Sequence, residues 1–182
     1  MGNPFHDTND VLKVGLLKLY IMQKIKNPWA HREGYQCFGC CQENPFGLHM
    51  EFYEDGDDIL CFWRPQAHLQ GWIDTLHGGV QSTLIDEIAS WVVFRKLQTT
   101  GVTTKLNVRF LHPIMTTETQ ITLRARLREM RSNIAFIDVT IENANGECCT
   151  EGEAIYFTYG EEKARAMGFV HCDVEDEQLL SM

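Results

Sequence analysis

The sequence predicts a single α+β domain made of antiparallel strands and one long, buried helix. Three features carry that expectation: a run from Val80 to Lys96 that is apolar around most of a helical circumference, four strand-like stretches after it, and a hairpin before it. With 182 residues and 44% hydrophobic side chains, the chain has enough material for one core. The organisation expected is an N-terminal helical extension over residues 1–30, a main domain over 31–160 and an acidic tail over 161–182.

Asn9 or Asp10 can cap a first helix that carries Val11, Leu12, Leu16, Leu17, Tyr20 and Ile25 and runs to about Lys26, where Pro28 ends it. Packing on its own domain or on a partner subunit is favoured for this helix over a membrane surface. Residues 31–47 are rich in Cys, Gly and Pro and read as a loop. Leu48 to Tyr53 and Ile59 to Arg64 then read as strands joined by an acidic turn at Glu54 to Asp58. Beyond the central helix come strands at Thr103 to Leu111, Glu118 to Met130, Asn133 to Glu142 and Cys148 to Tyr159. Their breaks, at His112-Pro113, Arg131-Ser132-Asn133 and Asn143-Ala144-Asn145-Gly146, are too short for parallel crossovers, so the strands are antiparallel neighbours. The tail from Glu161 is charged and forms a short helix or stays mobile.

The central helix opens at His77-Gly78-Gly79, where the paired glycines leave backbone N–H groups and the positive end of the helix dipole open to a ligand oxygen. Deeper in the same apolar helix lie Asp86 and Glu87. Neighbours on a helix diverge by roughly 100°, so the two carboxylates cannot share a face. Asp86, on the stripe of Ser82 and Ser90, is favoured as the inward one, and Glu87 shares its stripe with Thr83 and Trp91.

A formal net charge of -9 argues against nucleic acid or anionic lipid as a general partner. No apolar run approaches the roughly 20 residues that span a bilayer, so stable membrane insertion is not expected. The seven cysteines are odd in number, include the adjacent pairs Cys40-Cys41 and Cys148-Cys149 and follow no recognisable targeting segment, which fits a reducing cytoplasm. Cys37 and Cys40, with Cys41 and His49, could be read as zinc ligands. The lack of a second clear pair at such spacing leaves no metal as the expectation, with free buried thiols as the default. Disulfide exchange is weaker still, since the pair lacks a βαβ setting.

Three motifs resemble the hotdog fold, in which a curled antiparallel sheet wraps one helix, and within it the PaaI-like acyl-CoA thioesterases, over roughly residues 35–160. The first, Cys37-Phe38-Gly39-Cys40-Cys41-Gln42-Glu43-Asn44-Pro45-Phe46-Gly47-Leu48, is similar to a CFxCG-x-x-NPxGL signature, with Cys41 in place of the usual glycine. The second is Leu69-Gln70-Gly71-Trp72 leading into His77-Gly78-Gly79 and an acid at Asp86, an HGG-x6-D spacing. The third is Leu106-Asn107-Val108-Arg109-Phe110-Leu111-His112-Pro113.

The resemblance implies hydrolysis of acyl-CoA with no cofactor, coenzyme A being part of the substrate. It gives carbonyl polarisation to the Gly78 N–H, the catalytic acid to Asp86, water orientation to Thr103 and, more weakly, to Ser90. It leaves His77 as the scaffold of the Gly78 turn rather than an acid/base. Relatives often place Asn or Gln six residues before the histidine, where this chain has Gly71, with Gln70 one step off. Gly79, Gln70, Trp72, Ser90 and Glu87 are the substrate-binding candidates. Trp63, Trp72, Trp91 and Phe94 are available to line an acyl chamber, and Lys105, Arg109 and Arg131 to meet coenzyme A phosphates.

Eight residues of helix separate Gly78 from Asp86 by about 12 Å along the axis, too far for both to reach one carbon. Two antiparallel copies of the helix would bring them together, which predicts a homodimer or homotetramer with shared sites. A noncatalytic acyl-CoA sensor or assembly module, or an acyl-thioester hydratase or dehydratase using His77, are the alternatives.

Overall fold

The computed structural model describes residues 22–30 and 32–175, and everything below concerns these. Seven strands form one antiparallel sheet: β1 (Gln23–Lys24), β2 (Tyr53–Asp55), β3 (Asp58–Trp63), β6 (Gly101–Phe110), β7 (Ile121–Arg131), β8 (Ile134–Glu142) and β9 (Cys148–Thr158), in the order β1-β2-β3-β7-β8-β9-β6. A separate small hairpin, β4 (Gln70–Trp72) with β5 (Thr75–Leu76), precedes the central helix α1 (Gly78–Lys96), and a short α2 (Glu161–Ala166) follows the sheet. This is the helix-in-sheet architecture that the motifs imply.

α1 is buried because its apolar residues serve more than one stripe. Leu84, Ile85, Ile88, Ala89, Val92 and Val93 are without solvent contact, and the sheet residues opposite, Ile121, Leu123, Ile137, Ile141 and Ala154, are equally enclosed. The sheet supplies them by alternation: in β8, Ala135, Ile137, Val139 and Ile141 point inward while Asp138 faces solvent. Close approach of the two layers needs Gly152, since a Cβ there would lie 2.6 Å from Ile85. On the other side of α1 the Trp91 ring stacks on Phe52 at 4.4 Å.

Two expectations are corrected. The first helix was expected to reach about Lys26, but Gln23 and Lys24 pair with Glu54 and Tyr53 as a strand, and Ile25 is buried in the same core. Tyr53–Asp55 offers an edge that takes this segment in extended form; the rest of the expected helix lies outside the described residues. The first hairpin strand was expected from Leu48, but only Tyr53–Asp55 pairs in the ladder, because Leu48 and Met50 instead bond back to Phe38 and Gly39.

β6 stands apart from the other long strands. It lies at the edge of the sheet, bonded on one side only to β9, and most of its side chains are exposed. A register shift between Thr103 and Lys105 bulges it where it passes α1.

Candidate active site

The β4–β5 hairpin, unrecognised in the sequence, delivers the HGG turn. Asp74 takes the left-handed conformation (φ 55) that its short polar side chain tolerates, and the Gln70 side chain accepts a hydrogen bond from its N–H at 3.1 Å. His77 then donates its backbone N–H to the Leu69 carbonyl at 3.0 Å, anchoring the turn to the segment before the hairpin.

His77 is the N-cap of α1: its Nδ1 accepts from the Gly79 N–H at 2.8 Å. Accepting at Nδ1 puts the proton of a neutral ring on Nε2. With the Gly79 N–H taken by His77, the Gly78 N–H is left as an orphan donor at the positive end of the helix. The Phe110 ring lies over Gly78, 3.2 Å from where a Cβ would stand, so the position is read closely by an apolar lid. Around this turn, Trp72, Ile73 and Phe110 are exposed to 75%, 73% and 54%.

Two turns further along, Asp86 faces the sheet edge. Thr103 Oγ1 donates to Asp86 Oδ1 at 2.6 Å, and the Tyr156 hydroxyl donates to the same oxygen at 3.2 Å and to the Asp86 carbonyl at 2.9 Å. Thr103 and Tyr156 are register partners across β6 and β9, which is why both hydroxyls converge on one carboxylate oxygen. Burial, and then the Asp86 charge, push the Tyr156 phenol up, so it stays a donor. Both donors are on Oδ1, and no donor to Oδ2 is found among the described residues.

Glu87 goes elsewhere. The sequence favoured Asp86 as the single inward acid, but both are half-buried and enter different surroundings. Glu87 points at the loop before the hairpin, with Cys37 Sγ at 3.5 Å from Oε2 and the Trp91 indole N–H donating to Oε1 at 3.2 Å. Burial and the neighbouring Cys37 push its carboxyl up to about 7. A hydrogen bond from Cys40 draws the Cys37 thiol down to about 5, and the same pairing pushes Cys40 up. A cavity of about 530 Å³ opens beside this group, lined by Trp29, Tyr35, Phe94, Ser90, Cys37 and Cys40 among others.

The remaining candidates are distributed. Gly79 is used by the His77 cap, Gln70 by its own hairpin, and Ser90 donates to the Glu87 carbonyl at 2.7 Å on the cavity side, away from Thr103. Trp91 and Trp63 are buried in the core, the latter donating to the Leu48 carbonyl at 2.7 Å. Arg109 pairs with Glu151 at 2.9 Å and Arg131 with Glu129 at 2.8 Å, while Lys105 is exposed beside the β6 bulge. The zinc set read from sequence does not assemble: Cys41 Sγ donates to the Tyr35 carbonyl and the His49 ring bonds the Asn44 carbonyl at 2.6 Å. Tyr156 was missed, and only its place among the inward positions of a β-branched, aromatic strand could have marked it.

Residues 74–150 match the family model of the thioesterase superfamily. Among solved structures, the chain is similar to a hypothetical thioesterase with coenzyme A from Streptococcus pneumoniae, at 21% identity over 57% of this chain and 82% of that one, with a TM-score of 0.54. It is similar to a thioesterase from Haemophilus influenzae at 22% identity, over 62% and 80%, with a TM-score of 0.56. The PaaI protein of the phenylacetic acid degradation operon of E. coli matches at 17% identity, over 62% and 81%, with a TM-score of 0.57. At these identities the likeness establishes the fold. No curated protein sequence matches the chain significantly.

Proposed function

We propose that this hotdog-fold chain, whose residues 74–150 match the family model of the thioesterase superfamily, hydrolyses acyl thioesters, acyl-CoA foremost, to free acid and thiol. The observation that carries the reading is a split constellation: an unused N–H at Gly78, and a carboxylate at Asp86 oriented through Oδ1 by Thr103 and Tyr156. The family segment contains both ends of that constellation. The coenzyme A of the streptococcal structure supports the same class of substrate.

Within one chain the two ends stand about 12 Å apart along α1, so the site is completed by a second copy. The edge of β6, unpaired among the described residues, and the exposed Trp72, Ile73 and Phe110 beside Gly78 favour that assembly, because a strand edge with apolar flanks is a surface that another chain stabilises. The thioester carbonyl oxygen accepts from Gly78 N–H. Asp86 Oδ2 of the other protomer takes a proton from water as its oxygen adds to the carbonyl carbon, or attacks that carbon itself. Negative charge gathers on the oxygen facing the helix end, where a preorganised donor stabilises it. The C–S bond then breaks: on the base route the thiolate takes up the proton held by Asp86, and on the nucleophilic route it leaves a mixed anhydride that water hydrolyses, restoring the carboxylate and supplying the thiol's proton.

A panel of acyl-CoAs assayed by free-thiol release tests this. Hydrolysis by the wild-type chain, falling roughly 10²–10⁴-fold in Asp86→Asn, is the expected result. Undiminished turnover in that variant overturns the reading. Coenzyme A binding without release would point to a sensor, and hydration of enoyl-CoA to a hydratase.

A further inference from the structure

We propose that Cys37, Cys40 and Glu87 form a binding site for a divalent, thiophilic cation, Zn²⁺ foremost, with an open position toward the neighbouring cavity. The two sulfurs and a carboxylate oxygen lie within 4.8 Å of one another. A tetrahedral zinc with thiolates at about 2.3 Å and a carboxylate at about 2.0–2.2 Å needs its ligand atoms about 3.5–3.8 Å apart. Cys37 Sγ and Glu87 Oε2 are already at 3.5 Å.

The group is built rather than incidental. The cysteines sit on a loop that bonds to itself: Cys41 N–H donates to the Cys37 carbonyl, Leu48 N–H to that of Phe38 and Met50 N–H to that of Gly39. These bonds give the Cys37-to-Leu48 motif a structural meaning that the proposed hydrolysis does not use. Glu87 comes from the rigid α1, fifty positions away. Gly39 presses the loop against it, for a Cβ at that position would lie 2.4 Å from the carboxyl carbon.

Two of the three ligands, Glu87 and Cys40, also have an outer partner of the kind that aims metal ligands. The Trp91 indole N–H donates to Glu87 Oε1, the Tyr35 hydroxyl lies 2.9 Å from Cys40 Sγ, and Asn27 donates to that hydroxyl at 3.1 Å. The cation already in the cavity wall, Arg32, sends its guanidinium to the Met167 carbonyl at 2.9 Å. Among the described residues no cation pairs with Cys37, Cys40 or Glu87 at this apolar wall of Trp29 and Phe94, a role that a bound divalent ion would fill. Two soft sulfurs with one oxygen favour zinc over magnesium or calcium. Three protein ligands leave the fourth position to water or to a small anionic or thiol ligand entering from the cavity.

The test uses the reduced, metal-free full-length chain titrated with Co²⁺ and then Zn²⁺, and reads metal spectra rather than turnover, so its outcome is separate from the hydrolysis proposal. Expected are one Co²⁺ per chain with a thiolate-to-cobalt charge-transfer band, displacement by one equivalent of Zn²⁺, loss of the band in Cys37→Ala, and affinity weaker by at least about tenfold in Glu87→Gln. Cys148→Ala, in the other cysteine pair, should keep the band. Circular dichroism of each variant confirms that it is folded. No charge-transfer band at saturating Co²⁺, or a band that survives Cys37→Ala, would overturn the proposal.

Discussion

Asp86 and Glu87 are adjacent and both half-buried, yet α1 hands them to two different environments. Asp86 meets two hydroxyl donors at an exposed sheet edge, which fix one of its oxygens. Glu87 meets thiols and an apolar cavity, which push its carboxyl up to about 7. Two identical functional groups thus become two kinds of site through the angle of roughly 100° between successive helical residues. On the Asp86 side the partners are strand residues in register; on the Glu87 side they belong to a loop held by its own hydrogen bonds.

The largest effect that sharpens this contrast is on the hydroxyl side. Tyr156→Phe and Thr103→Val each remove one donor from Asp86, and a hydrogen bond to a charged group is worth about 1.5–3 kcal/mol. Steady-state kinetics with acyl-CoA should show kcat down by about 10–100-fold with KM little changed, as for residues that position a catalytic group. A change confined to KM would instead place them in substrate binding.

Next in size is the packing on the thiol side. In Gly39→Ala the new Cβ forces the Glu87 carboxylate off the Trp91 indole, at a cost of roughly 1–3 kcal/mol in chemical denaturation. The same substitution in a Glu87→Ala background should cost much less, giving a clear coupling energy in the double-mutant cycle. Additive effects would break the claimed contact.

The smallest effect comes from a structural acid remote from both, Asp58 on β3, which pairs with Arg124 and Arg126 of β7. Burial alone would raise its carboxyl, but hydrogen bonds and charge from the two arginines outweigh it and hold it below the ordinary value. Its contribution is therefore fully present above the unfolded pKa of about 3.9 and is lost as pH falls through the folded one. The stability gap between wild type and Asp58→Asn should be present at neutral pH and close in strong acid. A gap independent of pH would show that the pair acts through packing alone.

Much of this was legible in the sequence, because local signals dominate there. The helix from Val80, the four later strands and the HGG turn each follow from periodicity and turn chemistry, and these elements fall within a few residues of the expectations. What escaped notice depends on long-range register. Tyr156 reaches Asp86 only because it lies opposite Thr103, and Glu87 joins Cys37 only because a loop fifty residues earlier folds against α1. The fate of Gln23 and Lys24 was misread for a related reason: a leading apolar stretch carries helical periodicity, but an available strand edge at Tyr53–Asp55 decides its conformation.

The central claim, a site shared between two protomers, is tested most directly by mixing two inactive variants. Gly78→Pro removes the helix-end N–H at the first helical position, where proline is tolerated, and Asp86→Asn removes the carboxylate. After subunit exchange at equal concentrations, half the dimers are mixed and each holds one intact site of two, so the account predicts recovery of about a quarter of wild-type turnover. Activity no greater than that of the two parents, with exchange confirmed by mass, would contradict it.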